Sequence, residues 1–117
     1  TTVKEYLETH KPTSQIKRLA AGSWIFAEFS KWLGSAYKNL AWEYLAKARE
    51  ELENPKSQIP NPKLAYKQIY VAEGSDWFWW YGENHTDFDK LFRMHLANFY
   101  TIIGRDIPGY LKKPLTT

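Results

Sequence analysis

TDFDKLFRMHLANFYTIIG, Thr86 to Gly104, decides the fold. Phe88, Leu91, Phe92, His95, Leu96, Phe99 and Ile103 recur three or four residues apart, which on a helix makes a single apolar stripe. TDFD at its start resembles a capping box with Asp89 where Glu or Gln is usual. Asp87 is a first-turn acid favoured by the helix dipole, and Gly104 is a C-cap. A histidine on such a stripe reads as part of the core, which is the expectation for His95.

Working outward, the pattern stays helical. VKEYLET (3–9) predicts a short helix ending before Pro12, and Thr13 or Ser14 then caps a turn through Ile16, Leu19 and Ala20 to Gly22. From Ser35 to about Leu52, the positions Ala41, Leu45, Ala48 and Leu52 keep helical spacing with Trp42 beside them. The three prolines of ENPKSQIPNP (53–62) mark a loop. Asn61 followed by Pro62 reads as an N-cap with proline at the first helical position, opening a helix to Ala72. DIPGYLKKP (106–114) reads as a surface tail. Alternating strand patterns and internal repeats are absent from the sequence. The expectation is an all-α, single-domain bundle of three to four helices over residues 1–117, with two irregular aromatic-rich segments at 22–34 and 74–87.

Composition narrows the function. Of 117 residues, 44% are apolar, enough for a packed core rather than a disordered chain. Net charge is +3, but the signs are mixed and no Lys/Arg run follows a phosphate backbone, so nucleic acid is not expected as a partner. No apolar run approaches a membrane span, so no membrane partner is expected. Without cysteine there is neither a disulfide nor a thiolate metal site. His10, His85 and His95 lack metal-ligand spacing, so no metal or other cofactor is expected. The chain opens and closes on TT without a start methionine, which suggests a piece of something longer.

The unusual quantity is 17% aromatic residues, including six Trp. Five lie in a row in VAEGSDWFWWYGENH (71–85), where Gly74 and Gly82 bracket Ser75–Tyr81 and suggest a loop or short turn. Trp77, Phe78, Trp79, Trp80 and Tyr81 would point in nearly all directions from a helix, so at least two rings are expected to face away from the core. A second glycine-bounded segment, GSWIFAEFSKWLG (22–34), carries Trp24 and Trp32. Flat indoles beside carboxylates suit sugars: the apolar face of a pyranose stacks on the ring while acids accept from its hydroxyls. Covering about 50 Å² of sugar CH surface on one indole is worth roughly 1.2 kcal/mol. Protein interfaces also favour Trp and Tyr, so a module that docks another chain or domain is the alternative. Glu73, Asp76, Glu83 and Asp87 surround the run, and a retaining glycosidase needs two carboxyls about 5 Å apart. A first-turn role for Asp87 and a surface role for Glu73 make independent catalysis the weakest of the three readings.

These segments resemble glycoside hydrolase family 57, the α-glucan-active group that includes amylopullulanases and thermophilic α-amylases. The resemblance is carried by AEGSDWFWWYGENH (72–85), GSWI (22–25) and WLG (32–34), and extended by NLAWEYLAKAREEL (39–52) and FDKLFRMHLANFYTIIGRDIPGYLKKP (88–114), so it spans nearly the whole chain from about residue 16. It implies a helical bundle that packs against an irregular (β/α)₇ barrel upstream and completes the substrate cleft of a retaining enzyme. The family's nucleophilic Glu and acid Asp sit on the barrel, so no catalytic residue is expected in this chain and it should be inactive alone. The implied partners are that barrel and an α-glucan such as starch, pullulan or maltooligosaccharides. By the same resemblance Asp76 and Trp77 line the glucan subsites, with Trp24 and Trp32 next. Trp79 and His85 complete the expected binding set. Phe26 and Ala27 depart from the small or acidic residues expected after GSWI.

Overall fold

The computed structural model describes residues 1–54, 58–83 and 86–115, with the side chain of Thr86 left aside. In chain order the elements are α1 (Val3–Thr9), α2 (Ala36–Glu53), α3 (Pro62–Ala72), α4 (Ser75–Trp80), α5 (Thr86–Ile102) and a 3₁₀ turn at Gly109–Lys112. The described residues include no strand, and the all-α expectation holds.

Local chemistry sets the helix starts. The Ser35 side chain accepts from the Lys38 amide, and the Asn61 side chain accepts from the Leu64 amide with Pro62 just inside the helix. α5 is the central element, packing on α2, α3, α4 and the 3₁₀ turn. Its stripe supplies Phe92, Leu96 and Phe99, all fully buried, while Leu91 stays partly exposed at the edge. Ala41 and Ala48 of α2 and Ala65 and Ala72 of α3 are fully buried. Such small side chains let helices approach closely, with Leu45 and Ile69 filling between them.

Three expectations are corrected. Residues 75–80 are helical rather than irregular, with Gly74 as the N-cap. The 106–114 tail is part of the core, because Leu111 and, just beyond it, Leu115 are buried against the bundle. The reason is Asp89, which is no cap: α5 begins at Thr86, so Asp89 is its fourth residue and turns inward. It accepts from the Tyr81 hydroxyl at 3.2 Å and the Leu115 amide at 3.2 Å, and pairs with Arg93 at 2.8 Å. Arg93 in turn donates to the Leu111 carbonyl at 2.9 Å, which closes the tail onto α5. Third, residues 13–22 hold no capped turn, and Ile16 and Leu19 are exposed.

The N-terminal arm does not join the core. α1 has a true capping box, in which the Thr2 side chain accepts from the Glu5 amide and the Glu5 carboxylate accepts from the Thr2 amide. Yet it buries no residue, and all of residues 1–22 are exposed. The radius of gyration is 17.8 Å, against about 13 Å for a compact chain of this length.

Candidate functional site

The two glycine-bounded segments meet. In the first, Phe26 and Ala27 have φ of 52° and 55°, a left-handed conformation costly for side-chain-bearing residues. A Cβ on Gly22 would lie 2.3 Å from the Ala27 carbonyl oxygen, so only glycine closes this loop. The Ser23 hydroxyl knots it, accepting from the Ile25 amide at 3.1 Å and donating to the Glu28 carbonyl at 2.5 Å. As a result Trp24 and Phe26 project outward, 85% and 81% exposed.

The loop then turns in. The Trp32 carbonyl accepts from the Trp42 indole at 2.9 Å, and the Trp32 ring meets Trp79 of α4 edge-on at 5.5 Å. Lys31 lies 5.0 Å over the Trp79 ring and pairs with Glu83 at 2.9 Å. The buried Lys38 ammonium joins the two segments from beneath. It donates to the Lys31 carbonyl at 2.6 Å and points at the carbonyls of Ser30 and Trp79 at 3.4 and 3.5 Å. Burial holds its pKa below the usual lysine range, with Glu83 pulling the other way. Lys38 was not among the expected residues, though it sits three positions before Ala41 on the buried face of α2, and a lysine in register with that face was the available signal.

α4 partners every ring of the aromatic run. Trp77 donates its indole N–H to the Val71 carbonyl at 2.8 Å and packs on Phe88 and His95 of α5. Gly74 sits close to the same carbonyl oxygen, where a Cβ would lie 3.1 Å away and make a tight contact. Phe78 stacks on Trp42, Trp80 stacks on Phe88, and Tyr81 is buried against Phe92. Trp77, Trp79 and Trp80 each lean on a neighbour and stay half-buried, and of the three it is Trp77 that packs against the core. A six-residue helix can do this because α2, the 22–34 loop and α5 surround it on different sides.

Of the expected binding residues, the fold brings Trp32 and Trp79 together. Trp77 sits on the α5 side with its polar tip committed, Trp24 stands at the outer loop, and Asp76 is exposed on the first turn of α4. His85 lies outside the described residues. Among the flanking acids, Glu73 is taken up by Arg49 and Glu83 by Lys31. No described group of three or more His, Asp or Glu side chains is arranged to hold a metal ion, and no described helix is long and apolar enough to cross a membrane. The surface offers stacking faces, the exposed Asp76 carboxylate and a lysine. That is chemistry for binding.

His95 is half-buried and its Nδ1 hydrogen-bonds the side-chain oxygen Oε1 of Gln68 at 2.8 Å, consistent with the core role expected for it. Burial holds its pKa below the ordinary imidazole value. A base with a depressed folded pKa favours the neutral form, so stability is full above the unfolded pKa of about 6.5 and falls as pH drops below it. Thermal melts at pH 7 and pH 5 should therefore show a lower midpoint at pH 5, and H95Q should shrink the difference. An unchanged difference in H95Q would remove His95 as its source.

Comparison with protein-family models, with curated proteins and with solved structures finds no match for the chain.

Proposed function

We propose that this chain is the helical part of a retaining α-glucan hydrolase of the family 57 type, and that it completes the substrate cleft of a catalytic barrel. In this reading the chemistry belongs to carboxylates of the barrel, and the helical part places glucose rings. The observation that carries it is the convergence of the two aromatic segments, with the Trp32–Trp79 pair at their junction, Trp24 outermost and Asp76 open to solvent. Half-exposed indoles provide stacking faces, and the Asp76 carboxylate accepts from sugar hydroxyls.

The experiment is kinetic and uses the whole enzyme. Trp24→Ala and Asp76→Asn alter exposed side chains, so the fold should tolerate both. Each should lower kcat/KM on starch or pullulan by about tenfold, with the melting midpoint nearly unchanged. Unaltered kinetics in both variants would count decisively against the proposal. Trp77→Ala is the poorer probe, because it also breaks the bond to Val71 and the packing on His95.

A second reading, docking of another chain or domain, is favoured by the arm and the loop that follows it, where Val3, Ile16, Leu19, Trp24 and Phe26 are all more than 70% exposed. Concentration-dependent self-association of the chain without any response to maltooligosaccharides would favour it over the first.

A further inference from the structure

We propose that residues 23–33 form a strap beside α4, hinged on α2 and latched by the buried Lys38 ammonium. Removing that one charge opens the Trp32–Trp79 junction and leaves the bundle folded. The inference goes beyond the α-glucan reading, because the latch is the same whatever the junction binds. The strap is moored to α2 at its C-terminal end. There the Gly34 amide donates to the Asn39 side-chain oxygen at 2.8 Å, and the Trp32 carbonyl accepts from the Trp42 indole at 2.9 Å. Gly34 has φ of 100°, which glycine adopts freely, and it makes the hinge. At the other end, residues 1–22 include no buried residue. The middle of the strap is knotted by Ser23 around the left-handed Phe26 and Ala27, so it moves as one piece.

Two cations tie this strap to α4, and their surroundings decide which one holds it. Lys31 pairs with Glu83, just after α4, but the two side chains are 31% and 40% exposed. Water and salt screen such a pair, and it contributes little. Lys38 is only 6% exposed. Its three N–H donors face three carbonyl oxygens: Lys31 at 2.6 Å and Ser30 at 3.4 Å on the strap, and Trp79 at 3.5 Å near the end of α4. Carbonyls at a helix end lack partners within the helix. The Tyr81 and Glu83 amides serve the carbonyls of Trp77 and Trp80, and the Trp79 carbonyl faces Lys38. A buried ammonium is costly unless its protons are matched, and buried carbonyls are costly unless they accept. Charge and carbonyls therefore hold one another, and through them strap and helix. The lowered pKa of Lys38, caused first by burial, reflects the same desolvation.

The test is NMR on the ¹⁵N-labelled chain, without any saccharide. In the wild type, the Trp32–Trp79 ring NOEs and a slowly exchanging Lys38 ammonium should persist in about 1 M NaCl, where exposed pairs are screened. Lys38→Met keeps the apolar stem and removes the charge. The ring NOEs should then vanish, and order parameters of the 24–33 amides should fall from about 0.85 to below about 0.6. Those of α2, α3 and α5 should not change. Glu83→Gln should leave the junction closed. Ring NOEs that survive Lys38→Met, or that salt or Glu83→Gln abolishes, overturn the proposal. Collapse of amide dispersion in Lys38→Met overturns it too, because Lys38 would then hold the whole fold. A wild-type Lys38 ammonium that exchanges as fast as the exposed lysines overturns it without any variant. Each of these failures leaves the cleft reading standing, since no readout depends on a ligand.

Discussion

Asp89→Ala will destabilise the folded chain by about 3–5 kcal/mol, because it leaves the partly buried Arg93 guanidinium without its counter-charge. Asp89 is 3% exposed and its carboxylate has three partners from three parts of the chain: Tyr81 after α4, Arg93 on α5 and Leu115 in the tail. Tyr81 holds its proton firmly, since burial first and the Asp89 charge second push its pKa well above the usual phenol range. It therefore remains a donor at any physiological pH. Removing the carboxylate orphans two donors and one cation, and each orphan adds desolvation cost. Domains of this size hold about 5–15 kcal/mol in all, so about a fifth or more of the stability depends on this one residue. Urea denaturation checks it, and a loss under about 1 kcal/mol would refute the account. Asp89→Asn keeps an acceptor and should lose less. Combining Asp89→Ala with Leu111→Ala should cost less than the sum of the two, because both release the same tail.

That network also marks where the sequence was legible and where it was not. α5 and α3 were readable because their signals are local: a seven-residue stripe in one case, Asn61 before Pro62 in the other. The Ser35 start of α2 was readable for the same reason. The tail was not, since proline and glycine surround Leu111 and nothing nearby shows that an aspartate some twenty residues earlier holds it. TDFD had the composition of a cap, and only the burial of Asp89 shows a different use. α4 was hidden by its own composition: five consecutive aromatics have no periodicity to detect, and two glycines flank them. At the candidate site, the individual tryptophans stood out in the sequence, but the Trp32–Trp79 contact spans 47 positions and depends on Lys38 gathering carbonyls from both segments. The outward turn of Trp24 depends on two left-handed residues that no composition rule anticipates.

Phe78→Ala should cost about 3–5 kcal/mol as well, and it should disturb binding in a way that Trp24→Ala does not. Phe78 is fully buried, stacked on Trp42 at 3.8 Å with planes 8° apart and edge-on to Phe92 at 5.6 Å. Truncation opens a cavity between α2 and α5 that neither long helix can close without moving. A six-residue helix has no stability of its own, so α4 persists only through such contacts. Losing this one frees Trp77 and Trp79 on either side of it, and with them the stacking faces of the proposed cleft. Stability and saccharide response should therefore fall together in Phe78→Ala, whereas Trp24→Ala should lose binding alone. Phe78→Leu refills part of the volume and should recover both in proportion. Urea denaturation reads the stability, and near-UV circular dichroism of the packed indoles reads the loosening of α4. If Phe78→Ala lost stability while the indole signal and the saccharide response stayed intact, α4 would be held by its flanking segments, and Phe78 would be filling space without positioning the site.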